Sequence, residues 1–148
     1  MEKDFIVKLI PQEELETIIP LVFELNNGEI SETVLKERLS EMKKINFQCA
    51  GVYTSSTLIG ICGFWILNKF YIGKHIEPDN VFISKEYRSL GVGKLMLNWI
   101  VNYAKEIGCN SAEANCYVNN KSGVQFWKAQ GYVPEGYHMR NVFDRKNE

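Results

Sequence analysis

The sequence has 148 residues, 45% of them hydrophobic and 24% charged, with a formal net charge of −1. That length suits one domain, residues 1–148, able to bury a core without staples. A nearly neutral chain lacks the basic stripe of a nucleic-acid binder, and the longest apolar run, Leu58–Leu67, is too short to span a membrane.

The start, MEKDFIVKLI, is too short and too acidic for a signal peptide. The cysteines at 49, 62, 109 and 116 show no C-x-x-C pair, so neither a metal site nor a redox site is expected. A reducing, cytoplasmic setting follows as the expectation, with the chain a monomer or a homodimer. Residues 4–10 read as a strand. Leu15, Ile18, Ile19, Val22 and Leu25 recur at helical spacing over 12–26, with Pro20 expected to kink or break that helix. Ser31 caps a second helix near 32–44.

Residues 47–54 and 57–68, joined by Thr54-Ser55-Ser56-Thr57, read as a β-hairpin, and a third strand spans about 74–84, interrupted by Pro78. The helix after Gly91 carries Val92, Leu95, Met96, Trp99, Ile100, Tyr103, Ala104 and Ile107 as one broad stripe and stops at Gly108. A strand at 110–117, a helix at 121–130 and terminal strands at 132–135 and 137–143 complete the pattern. Helices interleaved with strands on both sides of a hairpin predict an α/β (α+β) sandwich with a mixed sheet.

Arg88-Ser89-Leu90-Gly91-Val92-Gly93-Lys94 stands between a strand and a long amphipathic helix. Unpaired first-turn amides, the helix dipole, two glycines and two cations suit a phosphate or pyrophosphate. The spacing fails a P-loop, because Leu95 follows Lys94, and fails the dinucleotide fingerprint, because Met96 stands where the third glycine belongs.

What remains, Arg88-x-x-Gly91-x-Gly93, resembles the Gln/Arg-x-x-Gly-x-Gly/Ala motif of the GNAT superfamily of N-acetyltransferases. Upstream, VFIS resembles the family strand along the pantetheine arm. Downstream, NKSGVQFWKAQGY resembles the family segment Asn-x-x-Ala-x-x-Phe-Tyr-x-x-x-Gly-Phe. The resemblance implies a mostly antiparallel mixed sheet, splayed between its fourth and fifth strands and flanked by helices. It implies an acetyl-CoA-dependent enzyme that moves an acetyl group to a primary amine of a small molecule or peptide by direct attack in a ternary complex. A non-catalytic acyl-CoA sensor is the alternative.

On the same resemblance, the backbone of Arg88, Ser89, Leu90, Gly91, Val92, Gly93 and Lys94 cradles the CoA pyrophosphate. Backbone amides at Phe82 and Ile83 meet the pantetheine, and Asn120 contacts the cofactor. Glu77, eleven residues before Arg88, takes the place of a glutamate base used by certain protein-lysine acetyltransferases of the superfamily. Asp79 is an alternative base, a bulge at Pro78 being expected to aim one of the two inward, and His75 is a third candidate. Trp127 replaces the family tyrosine that protonates the departing thiolate; an indole donates a hydrogen bond but is no usable acid. Tyr117 is the hydroxyl that can stand in. For the acceptor, Glu13, Glu14, Glu16, Glu24 and Glu29 suggest a cationic amine, and Phe64, Trp65, Phe70, Tyr71 and Tyr137 an apolar lining.

Overall fold

Strict alternation along the central hairpin organises the molecule. Phe64 turns its ring to Tyr103, with centroids 5.5 Å apart, while its neighbour Trp65 turns to Phe47, 5.1 Å away, on the opposite face. Period-two side chains leave the hairpin apolar on both faces, so helices must cover both. The computed structural model describes residues 4–144, and the chain divides into two units, one ending at Ala114 and one starting at Asn115.

The first unit holds a five-stranded sheet in the order β1 (Ile6–Leu9), β2 (Gln48–Thr54), β3 (Thr57–Lys69), β4 (Gly73–Ile83) and β5 (Ser111–Ala112). Neighbours are antiparallel except β4 and β5, which run parallel. The expected 12–26 helix is two elements. A 3-10 turn covers Gln12–Ile18, and α1 runs Ile19–Leu25 with Pro20 in its first turn, where a missing N–H costs nothing. Helix α2, Glu32–Lys44, starts at Ser31, whose hydroxyl accepts from Val34 N at 3.2 Å. Leu15, Ile18, Ile19, Leu35 and Leu39 of these helices pack with Phe47, Ile61 and Phe82 of the sheet. Each such fully buried side chain contributes roughly 1.5–3 kcal/mol.

Helix α3 is Val92–Glu106 and buries Val92, Met96, Leu97, Ile100 and Ala104. Leu97 joins the expected stripe and Leu95 leaves it, 41% exposed, because at 100° per residue Leu95 falls on the opposite side. Trp99 and Tyr103 stack at 5.2 Å.

Three strand expectations are corrected. The strand placed at 110–117 is only Ser111–Ala112. No strand forms at 132–135 or 137–143 among the described residues. Tyr137, Met139 and Phe143 are almost fully exposed there, so no buried face exists to set a register. The second unit instead carries α4, Lys121–Ala129.

Candidate active site

Strand β4 pairs with β5 only at His75↔Ser111 and Ile76↔Ala112, with one further bond from Glu113 N to Ile76 O at 2.9 Å. From Glu77 to Ile83 the strand has no β5 partner. Pro78 sits on this free-edged part, where a residue without an N–H is tolerated. The irregularity in the β3–β4 ladder lies at Asn80, skipped between Gly63↔Asp79 and Cys62↔Val81 and held at φ 57°. The bulge therefore does not separate the two candidate bases as Pro78 suggested. Glu77 lies opposite Trp65 and Asp79 opposite Gly63, both on the Trp65 face of the sheet.

The two acids have different partners. Trp65 donates its indole N–H to Asp79 Oδ2 at 3.1 Å. Glu77, 24% exposed, has Oε2 2.9 Å from His75 Nε2. His75 is itself completely buried, so it cannot meet a substrate as the base. Glu113, which the sequence reading passed over, places Oε2 3.7 Å from the same imidazole nitrogen. Its other oxygen accepts from the Tyr71 hydroxyl at 2.5 Å, and that bond is the main cause pushing the Tyr71 phenol up to about 12. A period-two reading from Ser111 would have placed Glu113 beside His75, since parallel partners share a face.

At the far end of β4, Arg88 donates from Nε to Ile83 O at 2.8 Å and lays its guanidinium 5.2 Å from the Phe82 ring centre. This ties the glycine loop to the strand. Phe82 is buried, and it pairs with Ile61 as Ile83 does with Gly60. Ser89 and Gly91 both adopt left-handed backbone, φ 63° and 80°. At Ser89 a Cβ makes this conformation cost about 1 kcal/mol. Gly91 caps α3, and no side chain bonds the first-turn amides. The first intrahelical bond is Leu95 N to Gly91 O at 3.0 Å, which leaves the amides of Val92, Gly93 and Lys94 ahead of it. A Cβ built on Gly91 would meet nothing within 4 Å, so the turn opens onto free space in which an anion can approach the backbone. This cradle fits a pyrophosphate.

A cavity of about 390 Å³ adjoins the loop, lined by Phe23, Glu24 and Asn27 at the end of α1 and by Phe82, Lys85 and Arg88. Of the acids singled out for the acceptor, Glu24 reaches this cavity; Glu13, Glu14, Glu16 and Glu29 are exposed. Among the aromatics, Phe64 is core, Trp65 holds Asp79, and Phe70 is fully exposed.

In the second unit, Asn120 caps α4: its Oδ1 accepts from Gly123 N at 3.0 Å and from Ser122 Oγ at 3.2 Å. Trp127 packs edge-on against Phe126 and Tyr132 at 5.5 and 4.9 Å. The Tyr117 hydroxyl accepts from Arg140 at 2.9 Å. Exposed Tyr137 belongs to this unit as well.

Residues 17–132 match the model of the acetyltransferase (GNAT) family. The chain belongs to that family. It is similar to the uncharacterized N-acetyltransferase YhdJ of Bacillus subtilis, 22% identical over 134 residues that cover 90% of this chain and 94% of the relative. Among solved structures it resembles a ribosomal-protein-alanine N-acetyltransferase from Brucella melitensis, with TM-score 0.79, 13% identity and coverage of 95% and 100% of the two chains. It also resembles glucosamine-6-phosphate N-acetyltransferase from Arabidopsis thaliana, with TM-score 0.71, 19% identity and coverage of 96% and 100%. The GNAT chain is thus an N-acetyltransferase, built on a mostly antiparallel sheet with one parallel pair, and transfers an acyl group to an amine. No helix among the described residues is long and apolar enough to cross a membrane.

Proposed function

We propose that this GNAT protein uses acetyl-CoA as donor and acetylates a primary amine carried by a small molecule or a peptide. One observation carries the reading. The free edge of β4 begins at the Glu77 carboxylate and leads into the open Gly91 turn. Backbone along Phe82 and Ile83 offers the pantetheine hydrogen-bonding groups, and the residues from Arg88 to Lys94 hold the pyrophosphate. Bound there, the cofactor supplies an acetyl group activated as a thioester. The family model spans both units, which supports one catalytic domain.

An amine attacks only when neutral, and Glu77 takes its proton. Asp79 is the lesser candidate, because it lacks the offset from Arg88 that Glu77 shares with the family's glutamate base. Holding donor and acceptor on one sheet face lowers the entropic part of the barrier. Trp127 contributes packing and an N–H, not a proton, and the Tyr117 hydroxyl is the acid proposed for the thiolate. Free thiols at all four cysteines suit a reducing cytoplasm.

A thiol-release assay with acetyl-CoA and a panel of amines (a polyamine, a free amino acid, an amino sugar, a lysine peptide and an N-terminal peptide) tests the reading. Turnover on at least one amine is expected. Tight CoA binding without turnover on any would favour the acyl-CoA sensor, the reading for which Trp127 speaks.

A further inference from the structure

Among the described residues, His75 is the one polar or charged side chain that is completely buried. Burying an imidazole is costly unless both nitrogens are satisfied. Nδ1 lies 3.2 Å from Gly73 O and Nε2 lies 2.9 Å from Glu77 Oε2. The tautomer with its proton on Nε2 donates to that carboxylate oxygen and leaves Oε1 without this partner.

Glu113 Oε2 lies 3.7 Å from the same Nε2, and the Tyr71 ring lies 6.5 Å from the imidazole and fastens Glu113 through its hydroxyl. Ser111 is the β5 partner of His75. Across the ladder on β3 stands apolar Leu67. Lys74, the adjacent cation, is turned away and bonds Ile107 O.

We propose that His75 is the positioning residue of the catalytic base, holding Oε2 of Glu77 so that Oε1 receives the proton of the attacking amine. This rests on Glu77 as base. The amine N–H bond breaks and an O–H bond forms on Oε1; the proton between Nε2 and Oε2 stays in place. His75 touches no substrate. It restricts a side chain that otherwise has three rotatable bonds.

The test compares His75→Leu, His75→Gln and Glu77→Gln, using acetyl-CoA and the amine turned over fastest in the panel above. The leucine variant should lose about 10- to 100-fold in kcat. The KM for acetyl-CoA should stay constant. Glutamine, whose amide nitrogen can donate to Oε2, should recover most of kcat. A leucine variant whose loss lies in the KM for acetyl-CoA rather than in kcat, or a glutamine variant no better than leucine, would overturn the proposal. The chain has two histidines, which makes a fold-independent readout simple. The wild-type imidazole spectrum should show a slowly exchanging, downfield proton from the His75–Glu77 contact, absent in Glu77→Gln; its persistence there overturns the proposal even if the leucine variant does not fold. If Glu77→Gln turns over normally, the base assignment falls with it. If Glu77→Gln is slow and His75→Leu is normal, only the present inference falls.

Discussion

Trp65 and Asp79 are joined across β3 and β4 by an indole N–H donated to Oδ2 at 3.1 Å. Each of the two carboxylates on this strand face thus has one oxygen engaged, Asp79 Oδ2 by the indole and Glu77 Oε2 by a buried imidazole at 2.9 Å. Glu77, eleven residues before Arg88, is the one proposed as the base. Glu77→Gln is therefore expected to lower kcat by about 10²–10⁴-fold at neutral pH. Partial recovery should follow as pH rises toward the amine pKa of about 10, since the neutral amine then forms without help. Asp79→Asn should change kcat by about threefold at most, well below the effect of losing the base. Steady-state pH profiles of the two variants check the assignment, and a larger loss in Asp79→Asn would reverse it.

The mouth of α3 gives a second expectation. A Cβ on Gly91 meets no atom, so the fold should survive substitution, at a strain of about 1–2 kcal/mol from the φ of 80°. Aspartate is a good N-cap, which helps the helix, but its carboxylate takes the place of the anion. Gly91→Asp should lose CoA binding by calorimetry while its circular dichroism stays native. Normal affinity would place the phosphates elsewhere.

Gly63 makes the opposite prediction. A Cβ there would lie 2.5 Å from Phe47 Cζ and 2.8 Å from the Asp79 carbonyl, beside the bulge. Gly63→Ala should cost about 1–3 kcal/mol by overpacking, a fall of several degrees in Tm. Because the clash pushes on β4 itself, turnover should fall more than stability alone explains. An unchanged melting curve would show that the bulge yields freely.

Alkaline stability follows from the raised phenol and thiols. Tyr71 titrates at about 12 in the fold against 10.0 for the free side chain. Between these values the unfolded chain loses the proton first, so the Tyr71 contribution is intact below pH 10 and is lost as pH rises toward 12. Burial raises the Cys49 thiol from 9.0 to about 12 and Cys62 in the same direction, adding to the decline from pH 9 upward. Tyr71→Phe should flatten part of the fall in Tm above pH 10. Alkylation of the native protein at neutral pH should reach Cys116 and Cys109 before Cys49 and Cys62.

Much of this protein was legible locally. Caps, glycine stops and hydrophobic period placed α2, α3, α4 and the hairpin within a residue or two, because each is specified by neighbours in the chain. The glycine loop was legible for the same reason: a turn, its backbone angles and the first helical amides lie within seven residues. The terminal strands were misread because a strand exists only through its partner, and apolar content at 132–143 does not by itself supply one.

By itself, then, the sequence determined the family, a glycine loop suited to an anion and a short list of candidate acids. Only the tertiary structure decided how those acids differ. Trp65 reaches Asp79 because β3 and β4 pair in one register. Glu113, 36 residues from Glu77, joins the imidazole because β5 lies parallel to β4 for two residues before the pairing stops. Hydrogen-bond partners across strands depend on register, and register is set by the packing of the whole sheet rather than by any stretch of the chain.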